Sequence, residues 1–119
     1  MAIKFNTFEE LQGAVRAFVS ERNWHEFHNP KDLSVAIAIE ASELMEVMNW
    51  MGREKSIDYS RTEIGRQKIG HEIADVVILC ASLANQLDLD LGKITADKVK
   101  QNEKDYTKEL ADSHTKKWR

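Results

Sequence analysis

The chain has 119 residues, of which 42% are hydrophobic and 31% charged, and its formal net charge is −3. That length argues for a single domain over residues 1–119, and the composition for a folded soluble protein rather than a disordered one. The faintly acidic balance lacks the basic footprint that binding a nucleic-acid polymer demands, and no apolar run reaches membrane-spanning length.

One cysteine, Cys80, excludes a disulfide within the chain. It reads as a small buried residue of a reducing compartment. No charged-then-apolar leader opens the sequence, so the expected location is the cytoplasm.

The first element is a helix opening at Thr7. Thr7 with Glu10 forms a capping box, and Phe8, Leu11, Val15, Phe18 and Val19 recur at helical spacing. The segment from Asn23 to Asp32 mixes turn formers with aromatic residues, and Pro30 marks it as a loop. A second helix is expected from Asp32, as its cap, to Met51, with Gly52 ending it. "GREKSIDYS" is polar and reads as a connecting loop. A third helix should span Arg61–Leu87 around the apolar "IADVVILCASLANQL". Asp90 then caps a fourth from Leu91 to Glu109, and residues 110–119 read as a flexible tail.

These elements predict an all-α, four-helix bundle. The second and third helices are apolar on more than one face, and a chain this short cannot wrap both. Assembly as a homo-oligomer, dimer or tetramer, is therefore expected.

The buried-looking helices carry acids. Glu40 and Glu43 are three apart and share a helix face, and Glu72 and Asp75 repeat that spacing on the next helix. If the two helices pack antiparallel, four carboxylates converge and repel one another until a divalent cation neutralises them. An all-oxygen ligand set favours a hard ion, Mg²⁺ or in its place Mn²⁺, over zinc. Spacing alone also fits a solvated face. Glu46, three residues further on, either joins the cluster or supports it from outside. A di-iron centre is excluded by the absence of Glu-x-x-His: the residues three before His25, His28, His71 and His114 are Arg22, His25, Lys68 and Ala111.

"EASE" followed by "EIAD" resembles the acidic pattern of the MazG-like all-α nucleoside triphosphate pyrophosphohydrolases, E-E-x-x-E and then E-x-x-D. Ile39 stands where the first acid of that pattern would be. "ERNWHEFHNPKDL", "MNWMG" and "KVKQNEKDY" are similar to segments of the dCTP pyrophosphatase branch. The resemblance runs from Phe8 to Tyr106. It implies Mg²⁺-dependent cleavage of the α–β bond of a nucleoside triphosphate, dCTP or a related dNTP, giving monophosphate and pyrophosphate in nucleotide-pool housecleaning. It also implies dimers, or tetramers built from dimers.

On that resemblance Glu40, Glu43, Glu72 and Asp75 hold the metal, and one of them, with Glu43 preferred, serves as general base. Lys98, Asn102 and Tyr106 fall at i, i+4 and i+8, one helical stripe that faces either phosphate or solvent. Lys98 would neutralise phosphate charge, and Asn102 and Tyr106 would donate hydrogen bonds. Trp24 and Trp50 are candidate walls of a base pocket, which aromatic rings hold by stacking; both also suit a core. Phe27 and His28 would shape the same pocket, or His28 braces the loop. Val15 replaces a histidine of the dCTP branch, removing one base contact. Trp118 reads as incidental. The competing reading is a non-catalytic oligomerisation module whose acids make interface salt bridges.

Overall fold

A computed structural model of the chain describes residues 3–112. Every regular element among them is helical: α1 (Phe8–Glu21), a 3-10 turn (Trp24–Phe27), α2 (Pro30–Met48), α3 (Arg53–Arg61), α4 (Glu63–Gln86), α5 (Leu91–Asp105) and α6 (Lys108–Asp112). The four expected helices are α1, α2, α4 and α5.

Thr7 caps α1 by accepting from the Glu10 amide at 3.1 Å, while the Glu10 carboxylate reaches back one residue further than a strict capping box, to the Asn6 amide. Asn23 adopts a left-handed conformation (φ 53°), which stops α1 and starts the 3-10 turn. Asn29, not Asp32, caps α2. Its side-chain oxygen accepts from the Asp32 amide at 2.9 Å, and Pro30 takes the first position, where its missing N–H costs nothing. Asp32 sits in the first turn, where a negative charge suits the helix dipole.

The polar segment expected to be a loop is α3. It contains no proline or glycine to break a helix, and it packs against α4. Gly52 is accordingly the residue before α3 rather than the end of α2, which stops at Met48. Gly65 allows the close approach of α3 to α4, since a Cβ there would overlap the Tyr59 carbonyl. Thr62 caps α4 through the Gly65 amide, and Asp90 caps α5 through the Lys93 amide. α5 ends at Asp105, four residues early, with the Tyr106 amide bonded to the Asn102 carbonyl at 2.7 Å. α6 takes the start of the expected tail; residues 113–119, Trp118 among them, lie outside the described residues.

α2 packs most extensively on α4, α1 lies on α4, and α5 lies on α1. Glu40 of α2 feels the charges of Asp75 and Glu72 of α4, while Glu46 and Val47 share a cavity with Gln67 and Lys68, so rising numbers on one helix meet falling numbers on the other. The pair is antiparallel, as the convergence of the acids requires. The buried core is small: Val15 and Val19 of α1 and Ala81 of α4, backed by Leu11 and Leu91. A polar clasp supplements it. Buried Gln12 donates to Asn85 Oδ1 and to the Leu89 carbonyl and accepts from the Leu91 amide, tying α1 to the turn that launches α5. No helix among the described residues is long and apolar enough to cross a membrane.

Candidate functional site

The acids on α2 and α4 come together. One carboxylate oxygen each from Glu40, Glu43 and Glu72 lie within 4.8 Å of one another. Asp75, the fourth expected acid, lies one turn along α4 and outside this triplet. Its charge acts on Glu40, and its Oδ2 lies 4.0 Å from His71 Nε2. Glu40 feels the crowding most. Its carboxyl is held above the ordinary carboxylate range, first by a hydrogen bond between the Glu43 side chain and its protonated form, then by burial, then by the charges of Glu43, Asp75 and Glu72.

Two observations fit this cluster to a divalent cation. Glu40 Oε2 and Glu72 Oε2 are buried with no hydrogen-bond partner, and buried acceptors are normally satisfied. The donor set is all oxygen, the chemistry of a hard ion. The cluster can therefore hold a metal.

Two cavities reach the acids. One of 650 Å³ is lined by Glu43, Glu46, Val47, Gln67, Lys68, His71 and Glu72. That places Glu46, the acid without an assigned position, on its wall beside the cluster. The other, of 470 Å³, lies between α1 and α4 and is almost wholly apolar: Val15, Phe18, Trp24, Ile78 and Leu79 wall it, and Asp75 stands at its edge. Trp24 makes an edge-to-face contact with Phe18 at 5.5 Å between ring centroids and a tilted contact with His28 at 6.1 Å. His28 lines the same cavity, and its Nδ1 is buried without a partner. A third, polar cavity of 240 Å³ adjoins this one, sharing Val19, His28 and Ser82 with it and adding Arg16, Asn85 and Gln86.

Other expected site residues stand elsewhere. Trp50 is 94% exposed and lines none of these cavities. Lys98 and Asn102 lie on α5, which packs on α1, and neither borders the cavities around the acids. Asn102 is half-buried, with Oδ1 lacking a partner, and Tyr106 caps the helix instead of extending its stripe. The Phe27 side chain lies outside the described residues. Cys80 is half-buried and burial pushes its thiol up, as for an inert packing residue.

Gln67, Lys68, His71 and Ser82 went unmarked in the sequence. A readable signal existed, since α4 positions 68, 72, 75, 79 and 82 advance by three or four and so keep to one face.

The MazG-like family model matches residues 35–119, which include both acid pairs and α5. The chain belongs to the MazG-like family. It is 31% identical to dCTP pyrophosphatase 1 of Homo sapiens over 114 residues, 94% of this chain and 66% of that protein. It is 28% identical to dCTP pyrophosphatase 1 of Bos taurus, over 88% of this chain and 62% of that one. The chain thus spans less than two thirds of the length of either relative. A crystal structure of a pyrophosphatase from Archaeoglobus fulgidus superposes with a TM-score of 0.77 at 29% identity, covering 91% of this chain and 99% of that one. Within the MazG-like pattern this member departs at Ile39, which is 52% exposed and offers no ligand atom.

Proposed function

We propose that this MazG-like protein hydrolyses deoxynucleoside triphosphates, dCTP or a close relative, to the monophosphate and pyrophosphate with Mg²⁺. The observation that carries this reading is the triplet Glu40, Glu43 and Glu72, two of them with orphaned buried oxygens, where Glu43 and Glu72 line one cavity and the neighbouring Asp75 reaches the edge of an apolar one.

Glu40, Glu43, Glu72 and Asp75 would hold the ion, which supplies positive charge against the triphosphate and polarises its phosphoryl oxygens. The apolar cavity takes the base, with Trp24 as its stacking wall. Lys68 and His71 line the cavity that Glu43 and Glu72 share, where the departing pyrophosphate would lie. Glu43 is exposed where Glu40 and Glu72 are half-buried, so it is the carboxylate best placed to meet a water. It takes that water's proton as the oxygen attacks the α-phosphorus, and the bridging oxygen leaves with pyrophosphate.

We also propose a homodimer or homotetramer built on the α2–α4 pair. Val35 and Ile39 on α2, and Ile73 and Val77 on α4, form exposed apolar pairs four residues apart. Trp50 and the Lys98–Asn102 stripe would then meet a nucleotide across the interface. Such an enzyme would work on the free nucleotide pool, and the cytoplasm is the location proposed for it.

The test is incubation with each dNTP and Mg²⁺, with separate assays for pyrophosphate and orthophosphate. Pyrophosphate release that stops when EDTA is added supports the reading. Failure to release it from any nucleotide returns the protein to the oligomerisation module.

A further inference from the structure

We infer that Ser82 is a base-reading, specificity-determining residue of this site. The inference rests on the nucleotide reading above and goes beyond it to the group that distinguishes one base from another.

Ser82 is 5% exposed, in the most apolar stretch of α4. Serines inside helices usually turn the hydroxyl back onto the preceding turn. Ser34, Ser42, Ser56 and Ser60 all do so, each donating to the carbonyl three residues earlier at 2.6–2.7 Å. Ser82 does not: its hydroxyl makes no hydrogen bond among the described residues. It borders the apolar cavity and the smaller polar one alike, at their seam. His28, with its buried and unpartnered Nδ1, is at the same seam. Asn85 is nearby but already committed, because its Oδ1 receives Gln12 and Arg16 and its Nδ2 donates to the Gln12 carbonyl.

An apolar chamber with a few convergent polar groups is the form that binding sites for flat heteroaromatic ligands take. The polar groups common to both cavities are the Ser82 hydroxyl and the His28 imidazole, whose Nδ1 has no partner. Ser82 also follows Asp75 by seven residues, two helical turns, which places it on the same face about 10.5 Å along the axis. One face of α4 thus carries a carboxylate for the phosphate end and a hydroxyl for the base end. The ligand group that Ser82 meets is an exocyclic amino or carbonyl on the edge of the base.

The experiment is to measure kcat and KM for dATP, dCTP, dGTP and dTTP with the wild-type protein and with Ser82→Ala. The variant removes one oxygen beside Ala81 and Ala84 and keeps a good helix former, so melting temperature should hold. KM for the preferred dNTP should rise about tenfold, the scale of one lost hydrogen bond, with kcat and the poorest dNTP unchanged. The ranking of the four nucleotides then compresses. An equal KM change for all four, no change for any, or a fall in kcat at constant KM would overturn the role of Ser82. Wild-type protein that cleaves none of the four would instead overturn the pyrophosphohydrolase reading itself.

Discussion

At the scale of single residues, Glu40 carries the electrostatic crowding of the acid cluster. Its raised pKa means that the folded chain keeps this proton to a higher pH than the unfolded chain does. The stability it contributes is complete below the ordinary value of 4.5 and is lost as pH rises through the folded value. Glu40→Gln should therefore raise the melting temperature of EDTA-treated protein at pH 7, with the gain closing towards pH 4.5. It should also remove most of the rise in melting temperature that Mg²⁺ gives the wild type. Calorimetry in EDTA and in Mg²⁺ checks both, and a Glu40→Gln variant that melts lower at pH 7 without metal would count against a crowded acid cluster. The meeting of Glu40, Glu43 and Glu72 was legible because charge on an apolar helix conflicts with burial. Ser82 was not, because serine is unremarkable in a helix until its hydroxyl is found without a partner.

At the scale of elements, α3 shows what composition conceals. "REKSIDYSR" is polar, yet it holds a helix because α4 gives it a surface to pack on. Hydrophobic periodicity cannot see a short helix stabilised by contact with one neighbour. The position that permits this contact is Gly65. Gly65→Ala should destabilise the protein by about 1–3 kcal/mol, the usual cost of forcing volume into a closed contact, even though alanine is the better helix former. Urea denaturation would read this as a lower midpoint at unchanged slope; a higher midpoint would show that the Tyr59 carbonyl gives way easily. The caps at Thr7 and Asp90 were readable because each is a local hydrogen bond. The α2 cap was misplaced by three residues, since Asn29 and Asp32 are both good caps and Pro30 decides between them.

At the scale of the molecule, the single chain is open. Its radius of gyration is 17.0 Å, against about 13.5 Å for a compact chain of this length. Met45 and Ile64 are more than half exposed, and no large side chain among the described residues is fully buried. Apolar surface on that scale marks an interface. Sedimentation velocity should therefore find a dimer or tetramer, and Ile73→Asp or Val35→Asp should shift it towards monomer and lower its melting temperature. A wild-type monomer at micromolar concentration would refute the assembly. The excess of apolar surface could be read from two helices apolar on several faces. Which residues stay exposed could not, because the exposure of Trp50 and the position of α5 emerge only from packing.

The central claim is that the acids direct water onto the α-phosphorus. The direct test is hydrolysis in water enriched in heavy oxygen, with Mg²⁺ and the preferred dNTP, followed by mass spectrometry of both products. Label in the nucleoside monophosphate, with unlabelled pyrophosphate and no turnover by Glu43→Gln, is the predicted result. Label in pyrophosphate, or release of orthophosphate in its place, would contradict it.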